Sequence, residues 1–379
     1  MQVPFVDLRS QFQQIRKEVL SAVEAVCSNA AFVLGPDVES FEKEFASYCG
    51  TKFCVALHSG TSSLHVALKA LGLKKGAGVI VPAMTFIATS AMVSLSGGIP
   101  IFVDIDPKSY CIDLDRVEEL LTSDRCTLTS PVGAILPVHL YGQPAHMDRI
   151  LEIAKKYGLG VVEDCSQAHG STWNGRKVGG FGRAGCFSFY PAKNLGAYGE
   201  GGALVTNAED IFDFARSMRD HGSHQKYLHL FEGHNYRLDT LQAAILRIKL
   251  RHLENWTAQR RNVAAWYRAL LGNLEEVTLP AEENGVKHVY HLFVILTPRR
   301  DELRSFLSEK GVGTGIHYPF PLHLQPAYQH LGLKEGSFPV AERVARECLS
   351  LPIYPELTRE QVGYVCEQIK AFFCQSFPK

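Results

Sequence analysis

The sequence predicts an α/β protein with a large domain built on a mostly parallel central sheet and a smaller C-terminal α+β domain. Apolar runs of strand length alternate with helical periodicity through the N-terminal part of the chain, and this pattern changes near residue 245. At 379 residues, the chain is long enough for one large core and a second, smaller core. We therefore predict two domains, residues 1–245 and 246–379.

The predicted strands of the large domain are short and continuously apolar. Strands that are buried on both faces, as in a parallel sheet, have this pattern instead of an alternating one. The runs are "GVIVPAM" (78–84), "IPIFVDI" (99–105), "GAILPVHLYG" (133–142), "GLGVVEDC" (158–165) and "AGCFSFY" (184–190). Between them, segments such as "MDRILEIAKKYG" place Ile150, Ile153 and Ala154 on one helical face before Gly158 ends the helix. This alternation indicates a layered α/β domain.

The C-terminal domain is predicted from a different order of elements. A long helix, "DTLQAAILRIKLRHLENW", leads into it and carries the boundary near Leu246. A strand, a helix, a proline-rich loop and a final helix follow: "HVYHLFVIL", "RDELRSFLSEKG", "GTGIHYPFPLHLQPAY" and "TREQVGYVCEQIKAFF". These elements are typical of a compact α+β unit.

Charge and composition exclude several classes of partner. Lys and Arg together number 39, as do Asp and Glu, so no net basic charge is available for nucleic acid or an anionic membrane. The N-terminus carries Asp7 and Arg9 before any apolar run forms, which is unlike a signal peptide. No apolar run is long enough to span a bilayer. We expect a cytoplasmic protein whose partners are small molecules and other copies of itself.

The ten cysteines are scattered along the sequence without paired CxxC spacing. This pattern predicts reduced, mostly buried thiols instead of a disulfide framework or a zinc site. The two histidines of the proline-rich loop lack a third ligand at suitable spacing, so we expect no metal.

Two residues suggest a cofactor. Lys193 lies in the glycine-rich stretch "SFYPAKNLGAYGEGGALVTN", where its amine is either a surface charge or a nucleophile for a carbonyl group. Asp164 ends the run "GVVED", where an open parallel sheet holds its ligands, although it could equally cap a helix. Together they fit pyridoxal phosphate, which needs a lysine for its aldehyde and a carboxylate to keep its ring nitrogen protonated.

The cofactor's phosphate needs a separate site. In "HSGTSSLHVALKAL", Ser59, Gly60 and Thr61 precede a helical apolar pattern. The free N–H groups and the dipole at a helix N-terminus favour a dianion. An ordinary N-cap is the alternative interpretation. Ser188, five residues before Lys193, could add a hydroxyl group or be structural.

A series of motifs over nearly the whole chain resembles the DegT/DnrJ/EryC1/StrS family of sugar-nucleotide aminotransferases. These are pyridoxal phosphate enzymes of the aspartate aminotransferase fold type. The motifs stand in the family's order and include "FVLGPDVESFEKEFASYCG", "SGTSSLHVAL", "VPAMTFIATS", "VVEDCSQAHG", "FSFYPAKNLGAYGEGGALVTN", "GHNYRLDTLQAAIL" and "GIHYPFPLHLQPAY". Relatives that dehydrate or reduce sugars replace the lysine, usually with histidine, so Lys193 favours transamination.

The resemblance implies a role for each matching residue. Lys193 would bind the cofactor's aldehyde covalently and later move a proton, and Asp164 would pair with the ring nitrogen. Gln167 would lie beside the ring hydroxyl and Phe86 would stack on the ring. The phosphate would be held by Gly60, Thr61, Ser188 and, from a second subunit, Asn235. That last role implies a homodimer with shared active sites.

The resemblance also implies the substrates, L-glutamate and a nucleotide-linked keto sugar. The motif "FYPAKNLGAYGEGG" and the proline-rich loop are similar to those of the branch that aminates C-3 of an NDP-3-keto-6-deoxyhexose. The residues expected to face the substrate are Tyr190, His317, Tyr318 and His323, although the histidines could equally serve packing. Because both substrates are anions, basic groups are expected at the mouth, with Arg237 and His317 as candidates; Arg237 could instead belong to a structural ion pair.

Three alternatives remain open from the sequence. Amination at C-4 of an NDP-4-keto sugar is the first, and a non-catalytic regulator that binds pyridoxal phosphate on the same fold is the second. The third is a nucleotide-sugar dehydrogenase, which needs GxGxxG after a first strand; "GEGGAL" follows the lysine turn instead.

Overall fold

A computed structural model of the chain describes residues 1–123 and 131–374. The α-helices are α1 (Leu8–Asn29), α2 (Pro36–Cys49), α3 (Gly60–Ala70), α4 (Ala88–Leu95), α5 (Leu114–Thr122), α6 (Met147–Tyr157), α7 (Glu209–Met218), α8 (Thr240–Leu271), α9 (Arg300–Glu309), α10 (Pro339–Glu347) and α11 (Arg359–Cys374). Short 3₁₀ helices lie at Leu140–Gly142, Leu322–Leu324 and Pro326–Leu331.

The strands are β1 (Phe53–Leu57), β2 (Gly78–Pro82), β3 (Ile99–Val103), β4 (Val132–Ile135), β5 (Gly160–Asp164), β6 (Thr172–Trp173), β7 (Arg176–Lys177), β8 (Ala184–Ser188), β9 (Gly202–Thr206), β10 (Ser223–Gln225), β11 (Leu228–His229), β12 (Val286–Lys287), β13 (Phe293–Leu296) and β14 (Cys348–Leu351). The main sheet has seven strands in the order β1-β9-β8-β5-β4-β2-β3. β9 is antiparallel to the other six strands of this sheet, which are parallel to one another. The predicted mostly parallel α/β sheet is confirmed.

Helices cover both faces of this sheet. Val55 of β1 and Leu204 of β9 pack with α3, α4 and α7 on one face. Their neighbours Ala56 and Val205 pack with α2 and α8 on the other face of the sheet. On that same face, α5 and α6 cover β2 to β5. Because both faces of the central strands are buried, apolar residues are needed at most of their positions, which explains the continuous runs.

The structure corrects the extent of one predicted strand. The run at 133–142 was expected to be a single strand, but β4 ends at Ile135. Pro137 follows, which lacks the N–H group that a central strand must donate, and a 3₁₀ helix begins at Leu140. This turn brings the Tyr141 N–H group to the side chain of Gln167.

The C-terminal elements form a second core. The antiparallel pair β13–β14 packs with α9, α11 and the C-terminal half of α8. Val3 joins this core through a bridge to Val312, so the N-terminal segment also belongs to it spatially. The proposed boundary at 245/246 falls within α8, whose N-terminal half packs on the large core; the division into 1–245 and 246–379 stays a prediction.

Two further features concern the chain as a whole. Among the residues that the structure describes, no helix is both long and apolar enough to cross a membrane. The described cysteines are free thiols, and all except Cys27 and Cys374 are buried. Cys126 lies outside the described residues.

Candidate active site

One cavity at the carboxyl ends of β5 and β8 brings together most of the residues predicted from the sequence. This is the edge at which α/β sheets hold their ligands. The predicted residues that line it are Gly60, Thr61, Phe86, Asp164, Gln167, Ser188, Tyr190, Lys193, His317 and Tyr318.

Asp164 is held rigidly at the end of β5. Its N–H group donates to the carbonyl of Pro137, and its own carbonyl accepts from the N–H group of His139. The carboxylate accepts hydrogen bonds from the Thr89 hydroxyl group at 2.8 Å and from the Ser166 N–H group at 3.1 Å. The side chain is only 5 % exposed and lines the cavity, so it offers a fixed negative charge to a cationic ligand atom.

Lys193 lies in the connection between β8 and β9. Its N–H group donates to the carbonyl of Tyr190 in a turn, and the Lys249 ammonium group holds the same loop by donating to the carbonyl of Gly196 at 2.6 Å. Burial lowers the pKa of Lys193 to about 8, although the nearby Asp164 carboxylate opposes this shift. More of the amine is therefore uncharged near neutral pH than in water, as a nucleophile for an aldehyde requires.

Gln167 is oriented by two hydrogen bonds. Its side-chain oxygen accepts from the Tyr141 N–H group at 2.7 Å, and its amide nitrogen donates to the Tyr318 hydroxyl group at 3.0 Å. Burial, together with the charge of Asp164, raises the pKa of Tyr318, so the phenol stays protonated. The ring of Phe86 lies 5.8 Å from that of Tyr318 and is 53 % exposed, which leaves it accessible to a planar ligand.

The start of α3 provides an anion site. Ser59 caps the helix by accepting from the Ser62 N–H group, and the Ser62 hydroxyl group accepts in return from the Ser59 N–H group. The N–H groups of Gly60 and Thr61 have no hydrogen-bond partner in the described part of the chain. A Cβ atom on Gly60 would lie 2.6 Å from Cβ of Ser188, so glycine is required for the close approach of β8. These groups fit a phosphate dianion.

His317 contributes a neutral side chain. Its Nδ1 lies 2.9 Å from the Ser350 hydroxyl group, and its ring stacks on Phe5. Burial and the charge of Lys193 lower the pKa of His317 to about 4. The expected basic group at the mouth is therefore not supplied by His317 at neutral pH. Arg237 forms an ion pair with Asp220 and does not line the cavity, which favours its structural interpretation.

Two further predicted residues, like Arg237, lie outside the cavity. His323 is buried, and its Nε2 lies 3.0 Å from a carboxylate oxygen of Glu342. The expectation that His323 faces the substrate is thus not supported within this chain, because Glu342 occupies its ring nitrogen. Asn235 is exposed on the segment before α8, where its backbone pairs with Asp220.

A buried cluster of possible metal ligands lies close to Asp164 but is internally satisfied. Within the residues that the structure describes, this cluster is His139, Glu163 and Cys165. Nε2 of His139 lies 3.2 Å from Glu163, and its Nδ1 accepts from the Ala145 N–H group. Glu163 also accepts from the backbone N–H groups of Gly179, Phe181 and Gly182. The cluster is therefore a structural hydrogen-bond network.

Sequence reasoning missed other residues in and around the cavity. Thr89 lies in the motif "VPAMTFIATS", three residues after Phe86; it does not line the cavity, but its contact with Asp164 joins α4 to β5 and holds the carboxylate. Arg260 and His291 do line the cavity. Arg260 could not be predicted as a site residue, because the sequence "AQRRN" is typical of an exposed, charged turn of a long helix.

An amine of lowered pKa beside a fixed carboxylate, with an anion site at a helix N-terminus, defines a pyridoxal phosphate-dependent enzyme on this fold. The comparisons with known proteins give the family. The chain belongs to the DegT/DnrJ/EryC1/StrS aminotransferase family, whose model matches residues 13–370.

Relatives over the full length support this membership. The "dTDP-3-amino-3,4,6-trideoxy-alpha-D-glucose transaminase" of Streptomyces venezuelae is 44% identical, over 97% of this chain and 95% of the relative. The "Pleiotropic regulatory protein" of Geobacillus stearothermophilus is 45% identical, over 98% of this chain and 99% of the relative. A crystal structure of S. venezuelae DesV with a ketimine intermediate superposes with a TM-score of 0.94 at 43% identity, covering 99% of this chain and all of that one.

Proposed function

We propose that this protein transfers the amino group of L-glutamate to C-3 of a nucleotide-linked keto sugar, an NDP-3-keto-6-deoxyhexose. The observation that carries the chemistry is that Lys193 and Asp164 line one cavity, close enough for the Asp164 charge to act on the lysine, and that this cavity also holds an anion site. The position of the new amine is supported by the S. venezuelae relative, whose name specifies a 3-amino sugar. A cytoplasmic location stays a prediction from the sequence.

The residues that would hold pyridoxal phosphate divide by the part of the cofactor they face. The N–H groups of Gly60 and Thr61, with Ser188, suit the phosphate. Asp164 suits the protonated ring nitrogen, while Gln167 suits the ring hydroxyl group. When bound, the cofactor supplies an electron sink for the carbon atom that loses a proton.

The protein's own groups supply the proton transfers and the enclosure. In each half-reaction the amine of Lys193 would accept a proton from the carbon atom that carries the amino group and donate it to a second carbon atom, a role that suits an amine with a pKa of about 8. Thr89 and Ser166 hold the Asp164 carboxylate in place, so its charge needs no reorganisation during the reaction. Tyr190, Tyr318 and His317 line the remaining part of the cavity, where the sugar would bind.

The position of amination is tested by offering the purified enzyme L-glutamate together with either a 3-keto or a 4-keto nucleotide sugar. We expect it to convert a dTDP-3-keto-6-deoxyhexose with L-glutamate, and NMR of the product should place nitrogen on C-3. Lys193→Ala serves as the inactive control. Amination only of the 4-keto sugar would overturn the C-3 assignment. Absence of turnover with either sugar, despite bound cofactor, would favour a regulator, as the name of the G. stearothermophilus relative suggests.

We also propose a homodimer in which Asn235 completes the phosphate site of a second subunit. Its exposure and its position outside the cavity of its own chain support this arrangement. Asn235→Asp would place a negative charge beside the phosphate and should weaken cofactor binding at least about tenfold.

Subunit mixing tests the shared site. Lys193→Ala and Asn235→Asp homodimers are each expected to have little activity when assayed separately. Unfolding and refolding them together should restore about a quarter of wild-type activity, because each heterodimer contains one intact site. No recovery, despite heterodimers shown by native mass spectrometry, would place Asn235 in the site of its own subunit, and a fully active Asn235→Asp homodimer would place it outside the site.

A further inference from the structure

Arg260 is a buried cation that has no role in the proton transfers of Lys193. It lies in the middle of α8 and is 4 % exposed, yet it lines the cavity that contains Lys193 and Asp164. Burial lowers the pKa of Arg260 to about 10, which still leaves the guanidinium group charged at neutral pH.

The hydrogen bonds of Arg260 satisfy only part of its guanidinium group. All of them come from Nη1, which donates to the carbonyl groups of Ile353 at 2.8 Å, Tyr290 at 3.2 Å and His291 at 3.5 Å. Nε and Nη2 have no hydrogen-bond partner among residues 1–123 and 131–374, and Arg260 forms no ion pair there. The charge of Glu356 raises the pKa of Arg260, but the two side chains form no ion pair, so Nε and Nη2 stay available. A buried cation without a directly bonded anion is costly, so an anion that enters the cavity would gain much of its binding energy at Arg260.

Arg260 lies in the same part of the cavity as Lys193. The imidazole of His291, which also lines the cavity, has its pKa lowered by burial and then by the charges of both Lys193 and Arg260. His291 is therefore close to both cations. The other candidates for an anion site differ, because His317 is neutral and Arg237 is paired with Asp220.

We propose that Arg260 binds a carboxylate group of the amino donor. This inference rests on the proposed function, which supplies the two anionic substrates that share the cavity. L-glutamate is small enough to enter the cavity completely, and its amino group must approach Lys193. The diphosphate of the sugar substrate is attached to a bulky nucleoside and must extend towards the opening. A deeply buried, fork-shaped cation near Lys193 therefore fits the donor's carboxylate better than the diphosphate.

The two half-reactions of the enzyme distinguish these ligands. In the holoenzyme Arg260→Gln, we expect the apparent Kd for L-glutamate in single-turnover experiments to rise by about 10- to 100-fold. The Kd for the dTDP-3-amino sugar in the opposite half-reaction should change by less than about threefold, since a neutral amide can still donate to the backbone carbonyl groups. Arg260→Lys, which keeps the charge, should lose less affinity for L-glutamate than Arg260→Gln.

Arg261→Gln is the matched control. Arg261 is the next residue on α8, donates to Glu282 and to the carbonyl of His288, and does not line the cavity. Its replacement should leave both half-reactions unchanged. Equal weakening of the two half-reactions in Arg260→Gln, or an unchanged Kd for L-glutamate, would overturn the proposal.

A measurement on the wild-type protein avoids any effect of substitution on folding. A crystal structure of the holoenzyme with 2-oxoglutarate should show a carboxylate group within hydrogen-bond distance of the Arg260 guanidinium group. A dicarboxylate bound elsewhere in the cavity would contradict the proposal. If the wild-type enzyme fails to react with L-glutamate at all, the proposed function fails instead, and the two failures are thus distinguishable.

Discussion

Lys193→Ala is expected to lower kcat by about 10⁴-fold, the upper end of the range for a lost proton-transfer group. The same amine binds the aldehyde and moves the proton, so its removal affects both roles. The rest of the cofactor site does not depend on the lysine side chain: the anion site is built from the start of α3, and Asp164 is held by Thr89 and Ser166. The variant should therefore still bind pyridoxal phosphate, but without a covalent bond.

Steady-state assays with L-glutamate and the keto sugar measure this loss. Equilibrium dialysis of the cofactor and thermal unfolding show whether the variant is folded and can bind its ligand. Lys177→Ala is a suitable control, because Lys177 is a partly exposed lysine near Glu254, outside the cavity. A folded Lys193→Ala variant with more than about a tenth of wild-type kcat would contradict the proposed role of the amine.

Asp164→Asn is expected to lower kcat by about 10³-fold, as is typical when a preorganised electrostatic group is lost. The amide has the same shape as the carboxylate: its oxygen atom can still accept from the Ser166 N–H group, and its NH2 group can donate to the Thr89 hydroxyl group, so the site should keep its geometry. It cannot supply the negative charge that keeps a ring nitrogen protonated. An Asp164→Glu variant restores the charge at a longer reach and should recover part of the activity.

Asp164→Asn should also change the pH dependence of the rate at which the protein binds its cofactor. The uncharged amine of Lys193 is the reactive form, so the rate at which cofactor-free protein captures pyridoxal phosphate should rise about tenfold per pH unit below the pKa and level off above it. In the wild-type protein, the midpoint is expected near pH 8. Because the Asp164 carboxylate raises the pKa of Lys193, Asp164→Asn should move the midpoint to lower pH. An unchanged midpoint would show that the two groups do not interact.

The sheet could be predicted from the sequence because burial on both faces leaves a strong local pattern. The runs that became β2, β3, β5 and β8 are apolar at successive positions, and each lies where it was predicted. β9 was missed because Gly202–Thr206 follows a glycine-rich turn and was interpreted as part of the lysine motif. β1 was missed as well, and its pairing with β9 joins residues far apart in sequence, which no local pattern reports.

The candidate site shows the same division between local and long-range information. Lys193 and Asp164 were found because one cofactor requires both chemical groups. His317 and His323 lie in the same proline-rich loop, but only His317 lines the cavity, since Glu342 of α10 pairs with His323. Arg260 was missed because two adjacent arginines on a long helix are typical of an exposed surface. Only the packing of α8 shows that Arg260 faces the cavity while Arg261 pairs with Glu282.

The central claim is that one lysine in the cavity forms the covalent bond to the cofactor, and a single labelling experiment tests it most directly. The chain offers a demanding internal comparison, because burial also lowers the pKa of Lys249, to about 7, although Lys249 donates to the carbonyl of Gly196 and does not line the cavity. After borohydride reduction of the holoenzyme and proteolysis, mass spectrometry should find the reduced pyridoxyl group on Lys193. A modification found on Lys249, or on any lysine other than Lys193, would contradict the account.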